Sequence, residues 1–236
     1  MEIFVFDVDG TLTPSRGSID KDFKSWFLDF VKSHTVYLVT GSDRPKTVEQ
    51  VGMDIVNSVE TCFNCQGADA WRKGTNVYSG IWEPQKDMLL HLEEELANSK
   101  FYRKTGKHIE IRQGMLNFSI VGRKANMEDR FMYKQWDEHK NERHGIAERF
   151  NQRFGSTVLA KVAGETGLDI SPVGSDKSQI LRHIGTENFM HFFGDKMEPN
   201  GNDYPLAAAN KNGKNWHVSG WEETWEILKN LVDSQK

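Results

Sequence analysis

The chain has 236 residues, with 30 basic and 34 acidic side chains and a formal net charge of −4. That length suits one large domain or two small ones, and the charge balance excludes the basic excess of a nucleic-acid-binding protein. No apolar run approaches the roughly 18 residues of a membrane span, no targeting leader is expected, and two cysteines, Cys62 and Cys65, are too few for a four-ligand zinc site. A cytoplasmic protein is expected.

Ile3 to Phe6 is an apolar run that predicts a buried strand, and it leads straight into D-V-D-G-T-L-T at 7–13. Side chains alternate along a strand, so Asp7 and Asp9 leave it on the same side. Asp20 to Val31 has helical spacing, with Phe23, Trp26, Phe27 and Phe30 on one face. Val36 to Val39 is a second apolar strand, ending in Thr40-Gly41-Ser42-Asp43, and a helix is expected from Pro45 to about Gly52. Strand, helix, strand makes a parallel β-α-β unit.

Near residue 81 the pattern changes. Met88 to Leu96 reads as an amphipathic helix, and 108–112 and 116–121 alternate around Gln113-Gly114, which predicts a hairpin. Its apolar face carries Ile109, Ile111, Leu116, Phe118 and Ile120. Its other face carries Glu110, Arg112, Asn117, Ser119 and Arg123. Asn126 is placed to cap a helix over Met127–Lys140, and Val158 to Val162 and Leu168 to Ile170 read as two more strands. From about Asp176 the first pattern returns, with a short helix over Ser178–Ile184 and a buried strand over Phe189–Phe193. Asn210 to Asn215 reads as a polar loop. Trp221, Trp225, Leu228 and Val232 mark a packed helical face. The expected fold is therefore α/β: a Rossmann-like parallel-sheet core from 1–81 and 175–236, with an inserted α+β cap at 82–174.

In an open parallel sheet, ligands gather at the carboxyl ends of the strands. Three apolar strands here end in small polar clusters, at 7–13, 40–43 and 194–203. Two carboxylates and a tight glycine turn suit phosphoryl transfer, with Asp7 as nucleophile and Asp9 as general acid and base. Ser42 is placed to donate to a phosphoryl oxygen, and Lys177 to neutralise phosphate and nucleophile. A carboxylate approaching a phosphoryl group needs a cation, so Mg²⁺ is expected on Asp7, the backbone carbonyl of Asp9, and Asp195. Asn202 and Asp203 are candidates to contact it directly or through water. In the insert, Arg112, Arg123 and Arg130 are candidates for a second anion, because the guanidinium fork fits phosphate.

The string at 7–13 resembles the nucleophile motif of the haloacid-dehalogenase superfamily. The whole chain is similar to the eukaryotic-type phosphomannomutases, on G-S-D-R-P-K-T-V-E-Q-V-G at 41–52, I-E-I-R-Q-G-M-L-N-F-S-I-V-G-R at 109–123, D-K-S-Q-I-L-R-H at 176–183 and F-F-G-D-K-M-E-P-N-G-N-D at 192–203. The cap string is the family-specific one. The resemblance implies interconversion of mannose 6-phosphate and mannose 1-phosphate through a phospho-aspartyl enzyme, with a hexose 1,6-bisphosphate as activator. It implies that Arg16 contacts the sugar, that Arg112, Arg123 and Arg130 hold the distal phosphate and sugar, and that Asp169 meets a sugar hydroxyl. It also implies a homodimer through the cap. Cys65-Gln66-Gly67 stands where the family usually has Glu-Asn-Gly, and Gly167 where it has a sugar-contacting Ser. Two other readings stay open: a Mg²⁺-dependent sugar-phosphate phosphatase of the same superfamily, and a non-catalytic sugar-phosphate sensor.

Overall fold

The computed structural model describes residues 1–15, 17–199 and 201–234. In chain order the elements are β1 (Glu2–Phe6), α1 (Lys21–Ser33), β2 (Val36–Val39), α2 (Arg44–Val51), α3 (Met53–Ser58) and β3 (Thr61–Asn64). Next come β4 (Asp69–Arg72), β5 (Thr75–Ser79), α4 (Lys86–Asn98), β6 (Ile109–Arg112), β7 (Met115–Phe118), α5 (Met127–Lys140) and α6 (Glu142–Phe154). The chain closes with β8 (Val158–Ala163), β9 (Gly167–Pro172), a 3-10 turn (Lys177–Ile180), α7 (Leu181–Ile184), β10 (Phe189–Gly194), α8 (Tyr204–Ala209), β11 (Gly213–His217) and α9 (Trp221–Asp233). Two compact units result: Met1–Ser79 with Ser175–Lys236, and Gly80–Gly174.

The first unit is a seven-stranded sheet in the order β11-β10-β1-β2-β3-β4-β5. The pairs from β11 to β3 are parallel, and β4 and β5 add an antiparallel edge. Its two middle strands are apolar from Ile3 to Phe6 and from Val36 to Val39 because both faces are covered. Phe4, Phe6, Val36 and Leu38 pack into the layer that holds Phe23 and Phe27 of α1, Ile55 of α3 and Leu228 of α9. Ile3, Val5, Tyr37 and Val39 point the other way, toward Ile180, Ile184 and Leu206. From β1 the chain moves outward through β2 to β3, and later through β10 to β11 on the opposite side. Asp7 thus follows the strand at which the order reverses, where ligand sites form in such sheets.

In the second unit, β6-β7-β9-β8 form an antiparallel sheet. One face packs on α4, α5 and α6 through Leu116, Phe118, Leu168 and Ile170 against Leu92, Tyr133 and Phe150. Asn126 caps α5 reciprocally: its side chain accepts from the Asp129 N–H at 2.8 Å, and Asp129 accepts from the Asn126 N–H at 3.2 Å. The other face carries a polar row in register across all four strands: Glu110, Asn117, Asp169 and Lys161.

Several elements differ from expectation. Residues 213–217 form β11 rather than part of a loop; this polar edge strand, mostly exposed, shows no apolar alternation. β4, β5, α3 and α6 were not predicted; β5 is another exposed edge and α3 has six residues. Ile111 keeps its expected face yet is 52% exposed, because β6 lies at the sheet edge. Ser119 leaves the polar face, since β7 ends at Phe118, and its buried hydroxyl donates to the Thr166 carbonyl at 2.9 Å.

Candidate active site

The turn after β1 is wound around one acceptor. The Val8 carbonyl accepts from the N–H groups of Thr11, Leu12 and Thr13 and from the Thr13 hydroxyl. Gly10 sits at φ +80°, and a Cβ there would lie 2.5 Å from Asp195 Oδ2, so both conformation and close approach require glycine. The turn directs Asp7 inward, where it is 2% exposed.

Lys177, fully buried, bridges two carboxylates: its Nζ donates to Asp7 Oδ1 at 2.5 Å and to Asp203 Oδ1 at 2.6 Å. Asp203 is anchored in turn, because its Oδ2 accepts from the Lys196 N–H at 3.0 Å. Lys196 Nζ donates to Asp195 Oδ2 at 2.5 Å. Asp9 faces a separate pair of donors. Its Oδ2 accepts from Ser42 Oγ at 3.3 Å and its Oδ1 from Gln50 Nε2 at 2.8 Å. Gln50 and the anchoring of Lys177 by Asp203 were not anticipated. Gln50 lies on a helix face that reads as ordinary packing, and its contact spans 41 residues.

Burial pushes the Asp7 carboxyl up, to about 8, against the pull of Lys177; Asp203 and Asp195 reinforce the rise. Burial alone would lower Lys177, but the Asp203 and Asp7 carboxylates outweigh it and raise it. Asp195 is likewise raised by burial, in spite of its hydrogen bond to Lys196. The cluster is therefore short of positive charge. Asp7, Asp195 and Asp203 each offer a carboxylate oxygen within 4.8 Å of the others. Asp195 Oδ1 and Asn202 Oδ1 are buried without a hydrogen-bond partner. Hard oxygens, excess negative charge and unsatisfied acceptors fit a divalent cation such as Mg²⁺. Asp203, occupied by Lys177 and the Lys196 N–H, is the poorer ligand; Asn202 has the free oxygen.

In the second unit, Arg112 and Arg123 converge on one carboxylate. Arg112 donates to Glu110 Oε2 from Nε at 2.9 Å and from Nη2 at 2.5 Å, and Arg123 Nη2 makes a short contact with the same oxygen. Arg130 donates to Thr166 Oγ1 at 3.1 Å and to the Ala125 carbonyl at 3.3 Å. Asp169 Oδ1 accepts from Asn117 Nδ2 at 2.8 Å. The role of Glu110 as the shared partner was not anticipated. Arg16 lies outside the described residues.

A family model described as eukaryotic phosphomannomutase matches residues 23–234. A phosphomannomutase of Arabidopsis thaliana is 32% identical over 222 residues, covering 89% of this chain and 88% of that protein. One from Saccharomyces cerevisiae is 29% identical over 240 residues, covering 98% and 94%. Among solved structures, a haloacid dehalogenase-like hydrolase from Bacteroides thetaiotaomicron matches with a TM-score of 0.63 over 98% of this chain and 99% of that one. At 13% identity this is a likeness of fold.

Proposed function

We propose that this chain, which belongs to the eukaryotic phosphomannomutase family, interconverts mannose 6-phosphate and mannose 1-phosphate. Asp7 attacks a phosphorus of hexose 1,6-bisphosphate. A P–O bond to Asp7 forms, the P–O bond to the sugar breaks, and Asp9 gives a proton to the leaving sugar oxygen. In the return step a free hydroxyl of a sugar monophosphate attacks phospho-Asp7, and Asp9 takes its proton. The bisphosphate is thus both intermediate and activator. Ser42 and Lys177 hold the phosphoryl oxygens, and Gln50 fixes the Asp9 carboxylate. Mg²⁺ would be held by Asp7, Asp195 and Asn202 with the Asp9 carbonyl, and when bound it supplies positive charge to the phosphoryl group.

The observation that carries this reading is the buried Asp7–Lys177–Asp203 chain at the end of β1. A degenerate sensor has no need of it. The Arg112–Glu110–Arg123 cluster favours a mutase over a phosphatase, since two guanidiniums on one carboxylate leave positive charge for a second phosphate. Arg130, Asp169 and Arg16 complete the sugar and distal phosphate contacts in this reading. A homodimer through the same unit belongs to it too; exposed Met127 and Phe131, one turn apart on α5, are side chains such an interface would cover. So does a cytoplasmic location.

The test supplies mannose 1-phosphate, Mg²⁺ and catalytic hexose 1,6-bisphosphate. Mannose 6-phosphate is expected; free phosphate without it would establish the phosphatase instead. Arg123→Ala should abolish mutase turnover while sparing hydrolysis of a simple phosphomonoester.

A further inference from the structure

β3 ends in a turn whose three residues all have positive φ: Cys65 at 49°, Gln66 at 61° and Gly67 at 100°. Two of them carry side chains, which rarely adopt that region, and such conformations persist only where the surroundings over-determine them. Here the surroundings are two segments of the active site. On one side, the Cys65 N–H donates to the Ser42 carbonyl and the Gln66 N–H to the Thr40 carbonyl, each at 2.8 Å. The turn thereby grips the loop that carries Ser42. On the other side, Gln179 Nε2 donates to the Gln66 carbonyl at 2.8 Å. Gln179 is 7% exposed and lies two residues after Lys177 on the same 3-10 turn. Gly67 closes the wedge, since a Cβ there would lie 2.9 Å from both Gln179 Cγ and Ile180 Cγ2.

One short turn is therefore bonded to both segments that serve the catalytic aspartates: Ser42 donates to Asp9, and Lys177 to Asp7. We propose that the Cys65–Gly67 turn and Gln179 form a positioning clamp that fixes the spacing between Ser42 and Lys177 for phosphoryl transfer at Asp7. Gln179 is a positioning residue, acting through the segment of Lys177 without touching the reacting atoms. The loop after β2 and the 3-10 turn are more than a hundred residues apart in the chain, so non-covalent bonds hold their separation: those to Asp9 and Asp7 on one side and those of the Cys65–Gly67 turn on the other. Phosphoryl transfer depends on positioning more than on covalent chemistry by the protein. The inference rests on the reading of Asp7 as the phosphorylated residue.

The test compares the wild type with Gln179→Met, which keeps an unbranched side chain and removes the donor, and with Gln179→Glu, which keeps the size. Phosphorylation of the protein by hexose 1,6-bisphosphate with Mg²⁺ is followed in a single turnover. The fraction of protein phosphorylated should be unchanged, while the rate constant falls about tenfold to a hundredfold in both variants, as expected when a reacting group is displaced. A purely structural role would lower the fraction or the melting temperature and leave the rate constant of the folded protein intact; that result overturns the clamp. A wild type that takes no phosphoryl group at Asp7 overturns the mutase reading together with the clamp. A phosphorylated wild type with an unaltered variant rate constant overturns the clamp alone.

Discussion

Lys177→Met removes the one lysine that bridges Asp7 and Asp203 and changes side-chain shape little. Lys177 is fully buried, with both contacts at 2.6 Å or less. Removing one partner of a buried ion pair costs about 3–5 kcal/mol, because the remaining charge is left without compensation. At about 2–4 °C per kcal/mol for a chain of this size, the melting temperature should fall by about 6–20 °C. The pH dependence has a definite sign. The folded-state pKa of Asp7 is raised above its ordinary value, to about 8, so the folded protein keeps a proton that the unfolded chain gives up. The stability this contributes is fully present at low pH and is lost as pH rises from the ordinary carboxylate range through about 8. In Lys177→Met the Asp7 carboxylate is relieved by protonation alone, so the gap to the wild type should narrow as pH falls from about 8 to about 5. The assay is thermal unfolding by circular dichroism in chelator-treated buffer. A melting temperature within about 2 °C of wild type near pH 8, or a gap that widens on acidification, would refute the electrostatic account.

Mg²⁺ must displace the proton that Asp7 keeps up to about 8, so binding at neutral pH should release close to one proton, and affinity should rise up to about tenfold per pH unit below that point. Calorimetry in buffers of different ionisation enthalpy reads the proton; none released would contradict the raised Asp7. Gly10→Ala places a Cβ 2.5 Å from Asp195 Oδ2 at a positive φ. It should weaken Mg²⁺ binding by at least about tenfold and cost about 1–3 kcal/mol of stability, and unchanged Mg²⁺ affinity would show that the turn can give way. Asn126→Ala breaks the capping box of α5. It should cost about 1 kcal/mol, or about 2–4 °C, with kcat unchanged; a loss of turnover at full stability would show that the cap has a second role.

Legibility in the sequence followed the range of each interaction. The runs at 3–6, 36–39 and 189–193 were readable as strands because both sheet faces are covered, which makes every position apolar but His191. The hairpin at Gln113-Gly114 and the cap at Asn126 were readable because their chemistry is local, with Gly114 at φ +66°. Asp7, Asp9, Ser42, Lys177 and Asp195 could be nominated because each follows or opens a recognisable element. Of their partnering, only Lys177 against Asp7 was foreseen. Asp203 anchors Lys177 across 26 residues and Gln50 reaches Asp9 across 41, and neither leaves a periodic trace. The missed strands β5 and β11 are the two edges of their sheet, where backbone pairing sets the structure and side chains face water; β3 and β4 lie inside the sheet, but each begins and ends on a polar residue and so shows no apolar run. The hairpin's alternation put Glu110, Arg112 and Arg123 on one face and nominated the arginines with Arg130 for an anion; that Glu110 bridges Arg112 and Arg123 becomes visible only in the structure.

The place of the 80–174 unit in the chain has a consequence for synthesis. β1 is a central strand, yet one of its two neighbours, β10, begins only at Phe189. At about 5–20 residues per second, a ribosome leaves β1 half-paired for about 10–40 s after it emerges. In that interval Phe4, Val5 and Phe6 line an open edge suited to wrong partners, and Asp7 waits for a lysine and a second aspartate not yet made. The inserted unit, contiguous and local, can complete itself first. A chain cut short before Lys177 would carry Asp7 and Asp9 with no bridging cation, so incomplete copies are born without the machinery to move phosphate.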